Sequence, residues 1–168
     1  LYPEFCDKIG PSVYHRSPSR IRTEISNVYA KYPDPEKIVC WITAGAGAYN
    51  EGAFPEKTGQ QPAEALMNGA GNIIYYRYQS FESPFDFVSH ADVLRMLAPY
   101  ENILLKGKKT DLRSENKELV HTARSLGKET LLLIGNYETF RPAETLLKLP
   151  EGSVVLDLHT QKKELCPN

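Results

Sequence analysis

Ile38-Val39-Cys40-Trp41-Ile42-Thr43 is a nearly continuous apolar run, and Ala44-Gly45-Ala46-Gly47-Ala48-Tyr49-Asn50-Glu51-Gly52 follows it as a loop of small residues. A short run without polar alternation is the pattern of a parallel strand covered on both faces. Upstream, Ser12 to His15 has the composition of a short strand. Ser17-Pro18 then reads as an N-cap followed by proline at the first helical position. Ile21, Ile25, Val28, Tyr29 and Tyr32 recur at helical spacing until Pro33 and Pro35 stop the helix. Downstream, a helix is expected from about Gln61 to Asn68, ending at Gly69, and Asn72-Ile73-Ile74-Tyr75-Tyr76-Arg77-Tyr78 is a third strand. A last helical region runs to Leu105 with a break at Pro99, its buried side carrying Leu94, Leu97, Ile103 and Leu104. Strand, helix and strand thus alternate at steps of about 30 residues, the step of a (β/α)₈ barrel. Three such units cannot close a barrel, so the expected architecture is a partial one whose missing strands precede Leu1, or one whose open edges pair by self-association.

Beyond Leu105 the period changes. Lys106 to Asp111 reads as a polar connector, with Gly107 ending the preceding helix in a left-handed cap. Glu118 to Ser125, Glu129 to Gly135, Ala143 to Leu149 and Ser153 to Leu158 read as short strands between turn signals, which predicts a small antiparallel sheet or sandwich. The aromatics follow the same division: of the Phe, Trp and Tyr residues, only Tyr137 and Phe140 lie past Leu105. Residues 1–107 are therefore assigned to the α/β part and 108–168 to an all-β part.

Composition narrows the function classes. The 168 residues are 41% hydrophobic, which supplies a packable core, and 20 Lys+Arg against 21 Asp+Glu leave a net charge of −1. No basic surplus exists to neutralise phosphates, so a nucleic-acid partner is not expected. No stretch of about 18 apolar residues suggests a membrane span. Cys6, Cys40 and Cys166 lack C-x-x-C spacing, and His90, His121 and His159 are scattered, so the expectation is unpaired thiols and no metal. Gly45-Ala46-Gly47 does not continue into a dinucleotide loop, because Asn50 stands at the third glycine position. Neither a nucleophile elbow nor a phosphate loop of the G-x-x-x-x-G-K-[ST] type occurs. No cofactor is expected.

In a parallel barrel the loops after the strands line the site. That rule selects Tyr14, His15 and Arg16, then Thr43 to Glu51 including Asn50, then Arg77, Tyr78, Gln79 and Glu82. Carboxylates, aromatics and hydrogen-bonding side chains in one cleft suit the cleavage of a glycosidic bond, where carboxylates protonate the leaving oxygen and stabilise charge at the anomeric carbon. Glu51 and Glu82 are the candidate catalytic carboxylates. Tyr14, His15, Arg16, Asn50, Arg77, Tyr78 and Gln79 are the candidate substrate-binding residues. The plain alternatives are solvated loop glutamates, a helix-capping His15-Arg16 pair, and a Trp41 that packs in the core.

The tryptophan strand Ile38 to Gly45, the segment Glu64-Ala65-Leu66-Met67-Asn68-Gly69-Ala70-Gly71-Asn72-Ile73-Ile74-Tyr75-Tyr76 and the helix Ala98 to Gly107 together resemble the closing third of a TIM-barrel glycoside hydrolase. The tail containing Leu131 to Glu138 and Leu149 to Leu158 resembles the β-sandwich that often follows such barrels. The resemblance covers most of the chain through layout rather than one diagnostic motif. It implies a carbohydrate substrate and paired carboxylates, with the nucleophile near Trp41 to Glu51 and the acid/base before Leu1. The strand end Ile42-Thr43-Ala44-Gly45 departs from the pattern, since no carboxylate comes before Glu51. The isolated chain is accordingly expected to be inactive. The alternative is a non-catalytic carbohydrate-binding or interaction module.

Overall fold

The computed structural model describes residues 6–13, 17–42, 59–75, 84–112, 116, 118–137, 141–149 and 151–165. They form a mixed α/β structure. Strands β1 (Ser12–Val13), β2 (Val39–Ile42) and β3 (Asn72–Tyr75) make a parallel sheet in sequence order. Trp41 pairs with Ser12 on one side and Ile74 on the other. Helix α1 (Pro18–Lys31) connects β1 to β2, and α2 (Gln61–Asn68) precedes β3.

Both helices pack on the same face of this sheet. Ile21 and Ile25 of α1 and Ala65 of α2 join Val13, Cys40 and Ile42 in one buried cluster, with Ile73 and Tyr75 against it. Strand alternation explains the selection: Cys40 and Ile42 point to the helices, while Val39 and Trp41 point away. The opposite face is less covered among the described residues, with Trp41 half-buried and Ile74 44% exposed. The apolar run of β2, expected to be covered on both faces, thus meets helices on one side and a partly open surface on the other.

The local signals of α1 are largely met. Pro18 opens the helix and Ser17 occupies the N-cap, although its hydroxyl makes no capping bond. The Ser17 carbonyl accepts from Arg20 N and Ile21 N at 3.1 and 3.3 Å. Helix α2 ends where expected, in a Schellman arrangement: Ala70 N donates to Ala65 O at 3.0 Å and Gly69 N to Leu66 O at 3.3 Å. Gly69 takes φ of 123° to make that reversal. Helix α3 (Pro84–Leu97), a 3₁₀ turn at Ala98–Tyr100 and helix α4 (Glu101–Lys106) place the break at Pro99. Leu97, Ile103 and Leu104 are buried, whereas Leu94 is half-buried.

Gly107 ends α4 by a different route from the one expected. Its φ of −70° and ψ of 143° are extended, not left-handed. A side chain is excluded there because a Cβ would stand 2.3 Å from the Ile103 carbonyl oxygen.

The supposed connector after Gly107 is a strand. Strand β4 (Lys108–Leu112) pairs antiparallel with β5 (Leu119–Leu126), which pairs with β6 (Glu129–Asn136). Lysines reconcile the two readings, since a lysine-rich strand is typical of a sheet edge and looks polar in isolation. A separate hairpin joins β7 (Val154–Leu156) to β8 (Lys163–Leu165). Ala143 to Leu149, expected as a strand, has no strand pairing among the described residues, and Leu146 is 91% exposed. Its leucines carried an apolar signal, but no described strand edge pairs with it.

The inner face of the antiparallel sheet meets helices. Leu131, with Leu133 beside it, packs against Ala63 and Met67 of α2, Val93 and Leu97 of α3, and Ile103 and Leu104 of α4. Helix α2 thereby lies between two sheets, and seven of its eight residues are buried. No described helix is long and apolar enough to cross a membrane.

Candidate functional site

The catalytic and binding candidates Tyr14, His15, Arg16, Asn50, Glu51, Arg77, Tyr78, Gln79 and Glu82 all lie outside the described residues. What the structure places is their framework. Val13, Ile42 and Tyr75, the last residues of the three parallel strands, stand in register at one end of the sheet. The three described strands therefore end at the same side of the sheet. Trp41, one residue before the end of β2, covers Gly10, where an added Cβ would lie 2.9 Å from its Nε1. That contact gives the tryptophan a packing role against the residue that leads into β1.

The densest polar grouping among the described residues lies elsewhere, in the seam between the helices and the antiparallel sheet. Glu64, in the first turn of α2, is fully buried. Its Oε1 accepts from the Tyr137 hydroxyl at 2.9 Å and its Oε2 from Asn68 Nδ2 at 2.7 Å. Arg22 of α1 brings Nη1 to 3.8 Å of Oε2, and also bonds Thr122 and the His121 carbonyl of β5. Asn68 Oδ1 accepts from Ser26, whose hydroxyl in turn accepts from Lys109 Nζ of β4 at 2.9 Å. One carboxylate thus gathers α1, α2, β4, β5 and the residue after β6.

Electrostatically, burial holds the Glu64 carboxyl above the ordinary carboxylate value, against the opposing pull of Tyr137, Arg22, Asn68 and Lys109. The Tyr137 hydroxyl is driven up by the same burial and by the carboxylate it faces. Arg124 of β5 is equally buried. Its Nε donates to Met67 O at 2.9 Å and its Nη1 to Gly107 O at 3.1 Å. Those carbonyls terminate α2 and α4, so the guanidinium sits at the negative ends of two helices. The Tyr29 ring, 5.1 Å from the guanidinium carbon, adds a cation–π contact.

A second pair, a buried histidine and a partly buried tyrosine, lies at the end of β3. Tyr75 Oη and His90 Nδ1 of α3 are 3.1 Å apart, with Asp86 buried one helical turn before His90. Burial drives the His90 pKa down from 6.5 to about 4, with Asp86 opposing. His90 is therefore neutral at pH 7. Because the folded value lies below the unfolded one, this group's contribution to stability is complete above about pH 6.5 and falls as pH drops towards 4. The expected loss is up to about 3 kcal/mol. Urea titrations of the chain and of His90→Gln at pH 7 and pH 4 check it, and an equal acid loss in both proteins would refute it.

Two other features lack the makings of a site. Val155, Asp157, Thr160, Lys162 and Glu164 line a shallow concavity of about 370 Å³ on the β7–β8 hairpin. Asp157 is committed to its own turn, accepting from His159 N and the Thr160 hydroxyl, which hold its carboxyl below the usual range. Cys40 is a buried thiol pushed up to about 12, which makes it a core residue rather than a nucleophile. Among the described residues, no group of three or more His, Cys, Asp or Glu side chains could hold a metal ion.

The seam escaped the sequence reading, although one signal for it was present. Gln61, Glu64 and Asn68 form a polar stripe on one side of an otherwise apolar helix. Such a stripe usually marks the solvent side. Here a second sheet covers it.

No protein-family model matches the chain, and neither the curated proteins nor the solved structures give a significant match.

Proposed function

We propose that this chain forms the closing part of a (β/α)₈ glycoside hydrolase, followed by a small antiparallel β domain, and that it contributes to a cleft cutting glycosidic bonds with paired carboxylates. One observation carries the reading: three parallel strands neighbour each other in chain order, with α1 and α2 on the same face. A singly wound sheet of this kind is the repeating unit of a barrel, and its other face is the barrel interior. The half-buried Trp41 and the exposed Ile74 on that face support further strands closing over them. Under this reading those strands precede Leu1, Glu51 or Glu82 is a catalytic carboxylate, and the aromatic and polar residues at the strand ends bind the sugar.

The test uses the longer polypeptide that includes the preceding coding region, assayed for hydrolysis of a panel of nitrophenyl glycosides and polysaccharides. Glu51→Gln or Glu82→Gln should lower kcat by at least about a hundredfold with sugar binding retained. Residues 1–168 alone should give no turnover. Unchanged rates in both variants, or full turnover by the 168-residue chain, would overturn the proposal. Sugar binding by the longer polypeptide without any turnover would favour the non-catalytic module.

A further inference from the structure

The antiparallel sheet has two chemically different edges. At one, β4 carries Lys108 and Lys109, the kind of charged edge that resists a further strand. At the other, β6 has no charged residue from Thr130 to Asn136. The turn before β6 fixes which of its backbone groups face outwards. Gly127-Lys128 is a two-residue turn with Gly127 at φ of 62°, so Leu126 and Glu129 form the hydrogen-bonded pair that closes the hairpin. Alternation then bonds Leu131, Leu133 and Gly135 to β5 and turns the N–H and C=O of Thr130, Leu132 and Ile134 away from it. Among the described residues, no hydrogen bond reaches those outward groups. The side chains along this edge are open as well: Thr130 is exposed, Ile134 is 43% exposed, and Leu132 and Leu133 are half-buried.

We propose that the β6 edge is a self-association surface whose occupant is β6 of a second copy of this chain, added antiparallel about a two-fold axis through Leu132. The spacing of the outward residues selects this occupant. Thr130 and Ile134 lie symmetrically about Leu132, so Thr130 meets Ile134 of the second copy and Leu132 meets its own counterpart. Every outward N–H and C=O of the strip then gains a partner. On the inner face Leu131 stands opposite Leu133. No like charges meet, because Glu129 falls opposite Gly135 and Lys128 opposite Asn136. The lysines of β4 set where assembly ends: the joined sheet runs β4-β5-β6-β6-β5-β4, both of its outer edges are the charged ones, and growth stops at two copies. Contact along one strand is small, so the pair is concentration-dependent rather than permanent. The inference does not rest on the sugar-cleaving proposal.

Sedimentation velocity of the 168-residue chain tests it. Between about 1 µM and 1 mM, the range in which small interfaces associate, the mass should rise from 19.0 kDa towards twice that value. Leu132→Pro removes an outward N–H without touching a bond to β5, and should weaken association by at least about tenfold with the circular dichroism spectrum unchanged. Ile134→Lys should weaken it similarly. Adding Thr130→Glu to Ile134→Lys should restore it, because positions 130 and 134 face each other across the axis and not within one chain. A chain that stays monomeric throughout that range would overturn the proposal, as would a dimer indifferent to Leu132→Pro, or an Ile134→Lys defect that Thr130→Glu leaves unrepaired. Should Leu132→Pro fail to fold, the substitutions at the exposed positions 130 and 134 decide the matter.

Discussion

Arg124→Ala is expected to destabilise the chain by about 4 kcal/mol, a large share of the 5–15 kcal/mol typical of a folded domain. Three losses combine. The carbonyls of Met67 and Gly107, at the ends of α2 and α4, lose their donor, and buried acceptors left unsatisfied cost about 1–3 kcal/mol each. The Tyr29 ring loses the cation that it faces at 5.1 Å. Removing a long, wholly buried side chain also leaves a void between β5 and the helices. Arg124→Lys should recover only part of the loss, since one ammonium on a flexible stem cannot reproduce the planar fork that meets two carbonyls. Urea denaturation measures both variants. A loss below about 1 kcal/mol for Arg124→Ala would mean that water replaces the guanidinium.

Gly69→Ala should cost about 3 kcal/mol. Its backbone φ of 123° penalises any L side chain by roughly 1–2 kcal/mol. The added Cβ would stand 2.4 and 2.5 Å from Tyr29 Cδ2 and Cγ, so the ring must move or the helix end must open, a further 1–3 kcal/mol or so of overpacking. Displacing Tyr29 also disturbs the face it offers to Arg124. The two substitutions therefore share a partner, and the double variant should fall short of the sum of the singles. Thermal melts of the four proteins check both statements: exact additivity would separate the sites, and a Gly69→Ala melting point within 2 °C of the parent would refute the clash.

Much of the fold was readable from the chain because local rules agreed with one another. Pro18 opened α1, Gly69 closed α2 and Pro99 broke the helix after α3, each through a backbone constraint that needs no distant partner. The failures came where the answer depended on contacts far away. Lys108 to Leu112 became a strand because Arg124 and its neighbours offered an edge, whereas no described strand pairs with Ala143 to Leu149. Within the candidate site, the strand-end rule could name residues but had no means to place them, and all of its named side chains lie outside the described residues. Glu64, Arg22 and Tyr137 were invisible as a group, since 42 and 73 residues of sequence separate the carboxylate from its partners on either side. Arg124 carries no local signal in the sequence, and only the strand register puts it on the inner face opposite Leu131.

Helix α2 answers to two neighbours at once, the parallel strands through Ala65 and the antiparallel ones through Ala63 and Met67. A drifting lineage could not remodel either sheet while holding the other constant, because any bulkier residue accepted on one flank shifts the rod that the opposite flank leans upon. Paired substitutions spanning both halves of the polypeptide are the route by which such a molecule could change.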